Sequence, residues 1–335
     1  MNDPWTRLGR SLLAVIGTVV AAVVGIGLFV VVPDGNLARL LGVVFAIVLA
    51  VLGARMASGI AAEWFPSYNV ASVSVDGPIA RQRGQTLPGG PVLHTAEDVV
   101  EQIERADSDE SVDALVVSLN TPGGEVVPSD DIRRAVEDFD GPTVGYAIDT
   151  CASGGYWIAS GCDHIVAREG SIVGSIGVVA SRVTGEDLLD RLGLTYERLV
   201  AGEYKDAGVP LRDLEADERE YLQDIVDDYY DAFIDRVAAG RDVDRSEIEA
   251  TEARVFLGPD AKERGLVDEI GAADAVEAWI ESEIDEPVEI REFEPALGLA
   301  NRLRAGTERT AYALGAGIAS AVVGDRNGTS TLEFR

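Results

Sequence analysis

The chain has 335 residues, room for one large domain or two ordinary ones, and 47% of them are apolar, so a substantial core is available and general disorder is excluded. Its 28 basic residues against 58 acidic ones give a formal charge of −30, which argues against a nucleic-acid groove with a broad basic face. The first 62 residues carry Arg7, Arg10, Arg39 and Arg55 against Asp3 and Asp34, a net +2 that leaves −32 for the remainder. Only Lys205 and Lys262 are lysines, so 26 of the basic residues are arginine. An acidic, lysine-poor composition suits a surface bathed in molar salt, where the screening length falls to about 3 Å; drift in a GC-rich genome gives the same skew. Cys151 and Cys162 are too few for a disulfide scaffold and leave the redox compartment open.

In chain order, Ser11 to Val32 is uncharged and almost wholly apolar, long enough for a bilayer core of about 30 Å and longer than the apolar region of a cleaved signal peptide, the competing reading. After the turn Pro33-Asp34-Gly35-Asn36, a second apolar stretch from Leu40 to Ala54 is flanked by Arg39 and Arg55. With its neighbours it extends over about 37–60 while the arginines snorkel, so residues 1–62 read as a transmembrane hairpin. A hairpin puts the amino terminus and the acidic domain on one side of a multi-pass cell-membrane protein. Arg7, Arg10 and Arg55 against Arg39 favour the cytoplasm by a small margin and leave the side open.

Beyond Trp64, short β-rich runs alternate with charged helical stretches, an α/β pattern. Strands are expected at Asn69–Val75, Ala114–Leu119, Thr143–Ile148 and His164–Ala167, with a less clear run at Val173–Val179 and a strand-like Arg198–Ala201. Helices are expected at Thr95–Ala106, Ser129–Phe139, Gly185–Leu192, Glu215–Ala239 and Ala273–Glu283. Thr95 with Asp98 three residues on fits a helix start, and Gly193 a stop. Residues 63–295 read as one domain, and 296–335 as a tail whose apolar run Ala311–Val323 suits an amphipathic or packing helix.

Exclusion narrows the chemistry. Neither lysine stands in the Gly-Lys-Ser/Thr of a phosphate loop, and the two histidines and two cysteines lack zinc spacing. The Gly-rich pieces near Gly25, Gly174 and Gly315 lie in a span, a strand region and a tail, so none of these follows a strand and opens a helix as dinucleotide binding requires. One segment, Asp149-Thr150-Cys151-Ala152-Ser153-Gly154-Gly155-Tyr156-Trp157-Ile158-Ala159-Ser160, suits acyl transfer. It puts Ser153 where a strand gives way to a helix whose free N–H groups face a developing oxyanion. The structural alternative is a serine N-cap before a tightly packed helix. Among bases, His164 lies in an apparent buried strand, His94 in a Gly/Pro-rich loop, and arginine stays protonated. Lys205, in Gly202-Glu203-Tyr204-Lys205-Asp206-Ala207-Gly208, serves if burial lowers its pKa by about 3 units; otherwise it is a solvated loop lysine. Lys262 reads as a helix-surface charge.

Five ordered segments, Leu119–Gly124, Ala152–Ser160, Gly174–Val178, Glu203–Asp206 and Gly265–Gly271, resemble the signal peptide peptidase A family of Ser/Lys proteases in the ClpP/crotonase-like group. That resemblance covers roughly residues 70–275. It implies an α/β fold of repeated ββα units, with Ser153 as nucleophile, Lys205 as general base and Ser175 orienting the lysine. Gly124, Gly123 and Gly154 would supply the oxyanion hole. It implies no metal or organic cofactor, substrates that are remnant signal peptides and other short apolar peptides at the lipid bilayer, and a homo-oligomer. The chain departs from the family in having two expected spans where one anchor is common. A related protease that cuts a specific membrane protein such as a stomatin-like partner, a crotonase-like acyl-CoA enzyme and a non-catalytic scaffold are the competing functions. The missing basic CoA site and the retained Ser153 and Lys205 weigh against the last two.

Overall fold

The computed structural model describes residues 4–32, 35–81 and 95–295; His94 and the apolar run Ala311–Val323 lie outside the described residues. The amino-terminal part is a pair of helices, α1 (Pro4–Ile26), prolonged by a π-helical turn at Gly27–Val31, and α2 (Asn36–Trp64). Their stretches Ser11–Val31 and Arg39–Ala61 are long and apolar enough to cross a membrane. The helices run antiparallel and close together because small residues face each other: a Cβ on Gly17 or Gly53 would collide with Ala57 or Ala21. Close approach of small residues is how apolar helices associate where no hydrophobic drive separates them from their solvent. Phe29 and Phe45 pack at the loop end, ring centroids 5.7 Å apart.

The remainder alternates strands and helices: β1 (Val70–Asp76), α3 (Ala96–Asp107), β2 (Ala114–Thr121), α4 (Val126–Glu137), β3 (Thr143–Ala152), α5 (Gly154–Ala159), β4 (His164–Ala167), β5 (Ile172–Gly174), α6 (Glu186–Arg191), α7 (Ala216–Arg241), α8 (Arg245–Glu249), β6 (Val255–Leu257), α9 (Gly258–Glu263), β7 (Glu269–Ile270), α10 (Ala273–Ile284) and β8 (Ile290–Glu292). The strands form one sheet in the order β6-β5-β3-β2-β1-β8, with β4 and β7 branching from β3. Every pairing is parallel except β5 with β6. The α/β sheet behind two apolar helices is the arrangement expected from the sequence.

A parallel sheet covered on both faces needs strands that are apolar throughout. β2 meets that need, with Ala114, Leu115, Val116, Val117 and Leu119 all buried. The larger core layer joins Val73, Leu115, Leu119 and Ile132 to Tyr156, Ile158, Phe233 and Ile234, and a smaller one on the other face centres on Val116, Val144, Val276 and Ile280. The start of α3 is the capping box expected at Thr95: its hydroxyl accepts from the Asp98 N–H at 3.2 Å and the Asp98 carboxylate accepts from the Thr95 N–H at 2.8 Å.

Several boundaries differ from expectation for physical reasons. β3 runs on to Ala152 because its second half gains another partner: residues 144–147 pair with β4 and residues 150–152 with β5. β5 stops at Gly174, and the rest of the expected Val173–Val179 run leaves the sheet. α4 begins at Val126, three residues early, since Pro128 in the first turn has no intrahelical N–H bond to lose. Arg198–Ala201 is not a strand, because no sheet edge reaches it. The short α8, β6, α9, β7 and β8 carry too few residues for periodicity to signal.

Residues 175–215 contain only α6 and turns, and Val179, Val183 and Leu199 there are 87%, 84% and 89% exposed. This arm precedes α7, whose outer face lines up Asp224, Asp227, Asp228, Asp231 and Asp235 at helical spacing; Arg245 pairs with Asp231 and Asp235, while Asp224, Asp227 and Asp228 stand together as like charges that repel. Added salt screens that repulsion. The thermal unfolding midpoint is therefore expected to rise by several degrees between 0.1 and 2 M sodium chloride; a flat or falling midpoint by circular dichroism would contradict this electrostatic picture.

Candidate active site

Ser153 joins β3 to α5 with φ 53° and ψ −120°, a conformation that costs a non-glycine residue about 1 to 3 kcal/mol. An ordinary N-cap serine has extended backbone and a hydroxyl bonded to the helix's first N–H groups. Here the side chain makes no capping bond, so the N-cap alternative does not describe this residue. What holds the strained turn is the sheet: the Ser153 N–H donates to the Gly174 carbonyl at 2.9 Å, continuing the Ala152–Gly174 register, and the Ser153 carbonyl accepts from Trp157 N–H at 2.9 Å. α5 is fixed from three sides. Tyr156 donates to the Leu266 carbonyl at 2.8 Å, Trp157 Nε1 to Asp130 at 3.1 Å, and the Trp157 ring packs on Phe233 with centroids 4.8 Å apart.

The turn Gly123-Gly124, between β2 and α4, lies against this junction. Gly123 has φ +93°, and a Cβ there would fall 2.5 Å from the Gly154 nitrogen and 2.8 Å from Ser153 Cβ. Gly124 pairs with Ile79 in an isolated parallel bridge, where a Cβ would strike the Ile79 backbone. Among the described residues the N–H groups of Gly124 and Gly154 donate to no protein acceptor; the Gly123 N–H is taken up by Thr121 Oγ1 at 3.0 Å. The half-buried Ser153 hydroxyl is thus flanked by two free backbone donors, the elements of an oxyanion site. Gly123 belongs to it through its Cα, which makes the close approach possible, and not through its N–H.

Ser175 follows directly on Gly174 and repeats the left-handed backbone, φ 52°, with its N–H donating to the Arg254 carbonyl at 3.0 Å. The structure therefore brings Ser153, Ser175, Gly124 and Gly154 together. Lys205 is exposed on the arm, in a turn where its N–H donates to the Gly202 carbonyl at 3.2 Å. Among the described residues its ammonium makes no hydrogen bond to either serine.

The other candidates are placed clearly. His164 pairs with Val144 at the start of β3, about 26 Å along the strand from the Ala152 end. Its ring stacks on Trp279 at 4.7 Å, with Asp268 and Glu269 at 3.8 and 3.7 Å, a structural role. Cys151 is fully buried, and burial pushes its thiol up to about 12, so it does not compete with Ser153 as nucleophile. Lys262 is an exposed residue of α9, as expected. No cluster of His, Cys, Asp or Glu able to hold a metal occurs among the described residues.

Sequence reasoning missed the ion network that backs Lys205. Asp206, 8% exposed, accepts from Arg198 Nε at 2.9 and 3.0 Å and from Arg212 Nε at 3.3 Å; Arg212 Nη1 also reaches Glu218 at 2.7 Å. Hydrogen bonds from Arg198 and Arg212 hold Asp206 at about 2, and a hydrogen bond from Arg212 holds Glu218 there too. The only signal was an excess of arginine over 198–219 in an arginine-rich chain.

Residues 137–285 match the model of Peptidase family S49, a stretch that contains Ser153, Ser175 and Lys205 and begins just after Gly124. A Methanocaldococcus jannaschii protein provisionally named a protease is 37% identical over 172 residues, 50% of this chain and 55% of its own length. An Enterococcus faecium protein provisionally named signal peptide peptidase SppA is 32% identical over 206 residues, 60% of each chain. A solved mutant of a membrane-bound stomatin-specific protease is similar at TM-score 0.45 and 14% identity over 68% of this chain and 99% of its own, too distant to bear on the site. The chain spans little more than half the length of the curated relatives it matches first. The match to peptidase family S49 over residues 137–285, and relatives that carry the signal peptide peptidase name, agree with the family that the motifs resemble.

The depressed carboxyls set a pH response. Their share of the arm's stability is complete above the ordinary values of 3.8 and 4.5 and is lost as pH falls toward about 2. Hydrogen-exchange protection of amides 203–209, corrected for intrinsic rates, is expected to drop between pH 4.5 and 2; constant protection would rule the network out as the anchor.

Proposed function

We propose that this protein is a membrane-anchored serine endopeptidase that degrades remnant signal peptides and other short apolar peptides by an acyl-enzyme route. The observation that carries the reading is the uncapped, strained Ser153 between the free N–H groups of Gly124 and Gly154. The Ser153 oxygen bonds to the scissile carbonyl carbon while its proton passes to neutral Lys205, with Ser175 orienting the amine. Gly124 and Gly154 receive the oxyanion. The C–N bond then breaks, the proton goes to the departing amine, and a water activated by Lys205 releases the acyl group from Ser153.

Self-association brings a Lys205 to each Ser153. Two features support this: among the described residues the exposed Lys205 has no serine partner, and the arm around it exposes Val179, Val183 and Leu199, more apolar surface than a segment facing only water ordinarily keeps. The two apolar helices hold the site beside the bilayer, where peptides left by signal cleavage reside. If both span, the domain lies on the same side as the amino terminus.

Ser153→Ala and Lys205→Ala are each expected to lower kcat/KM on a signal-sequence peptide by about a thousandfold or more without changing the circular dichroism spectrum. Near-normal turnover in either variant would overturn the dyad. Co-expression of the two inactive variants is expected to restore part of the activity, because mixed assemblies contain intact pairs; no recovery would show that a second copy does not supply the lysine.

A further inference from the structure

The reaction uses none of Arg198, Asp206, Arg212 or Glu218, yet these four form the most buried ion network of the arm, directly behind Lys205. We propose that this network is the positioning element of the general base: it fastens the 203–208 turn to the first turn of α7 and balances the charge of Asp206 beside the lysine. The inference rests on reading Lys205 as the base.

The geometry is that of a mount. Asp206 points inward and Lys205 outward from the same turn. Arg198 grips the turn twice, through the Asp206 carboxylate and through the Glu203 carbonyl at 2.6 Å from Nη2. Arg212 joins Asp206 to Glu218, whose carboxylate also accepts from the Glu215 N–H at 3.1 Å and so caps α7. Arg182 Nη2 holds the far end of the loop through the carbonyls of Val209 and Arg212, at 2.8 and 2.5 Å. On the other flank the Tyr204 ring packs on Tyr221 of α7, centroids 5.0 Å apart. Further along α7, Phe233 packs on Trp157 of α5, the helix that Ser153 begins. One helix therefore carries the mount of the base and braces the helix of the nucleophile.

The identity of the residues follows from the two tasks. Arginine forks hold a carboxylate in a fixed plane, which a lysine does not do. The groups around the Lys205 turn are the carboxylates of Glu203, Asp206, Asp217, Glu218 and Glu220 and the guanidiniums of Arg198 and Arg212. Uncompensated, those carboxylates keep a proton on an adjacent amine and so remove the base. With both guanidiniums in place, Asp206 and Glu218 are each paired.

The test uses the full-length protein in detergent micelles, labelled with ε-¹³C lysine, at one fixed salt concentration. Because Lys205 and Lys262 are the only lysines, two resonances report two titrations and Lys262 is the internal reference. Arg198→Gln and Arg212→Gln are expected to raise the Lys205 midpoint by about half a unit or more and leave Lys262 unmoved. The midpoint of the rise in kcat/KM with pH moves up equally, which at a fixed pH below it is about a threefold loss, recovered at high pH. Arg212→Lys keeps the charge and loses the fork, so it keeps the wild-type midpoint with a lower plateau. An unchanged Lys205 titration in both glutamine variants, or an activity loss at all pH values that tracks the thermal unfolding midpoint alone, would overturn the proposal. Failure of the reading it rests on looks different: Lys205→Ala would retain activity while the Lys205 resonance still shifted in the arginine variants.

Discussion

The site depends on one pairing, that of the second half of β3 with β5. Residues 144–147 of β3 follow β4, but residues 150–152 take β5 as a partner, and the ladder continues one residue too far for comfort: Ser153 donates to Gly174 while its backbone is already bent into the left-handed region. A residue in that state is kept there only where surroundings over-determine it. Here the surroundings are the β5 register on one side, the Gly123-Gly124 turn on the other and a helix clamped by Tyr156 and Trp157. In that turn the Ser153 hydroxyl makes no capping bond, and among the described residues the Gly124 and Gly154 N–H groups have no protein acceptor. A serine that capped α5 in the ordinary way would turn its hydroxyl to the Gly155 or Tyr156 N–H instead.

The two halves of the proposed dyad are built differently. Ser153 is set by sheet pairing and buried apolar packing, forces indifferent to pH and salt. Lys205 is set by charge, on an arm with little core of its own, through carboxylates and guanidiniums that answer to both. In a chain of net charge −30 a free amine is hard to keep, since the surrounding field favours the protonated form. The paired arginines around Asp206 are a local answer to that global bias.

Much of this was legible in the residues. The capping box at Thr95, the apolar run of β2 and the paired apolar helices announce themselves because each follows from local periodicity or a single side-chain bond. Ser153 was legible as a strand-to-helix serine, and five short segments carried the family. The length of β3 was not, since its last residues are polar or small and are strand only because β5 lies alongside. Arg198–Ala201 is β-prone and yet no strand, since such a run is a strand only if an edge receives it. The clamp around Asp206 was hidden for the same reason, as charges eight and six residues apart along a loop say nothing until the loop is folded.

The most direct test of the central claim, that the Ser153 hydroxyl is activated by a neutral amine at position 205, is the rate at which a fluorophosphonate labels the protein, followed by peptide mapping. The account predicts a single label on Ser153, with a rate that rises with pH in the wild type and is nearly abolished in Lys205→Ala. Labelling at another residue, or a Ser153 rate indifferent to both pH and the Lys205 substitution, would contradict it.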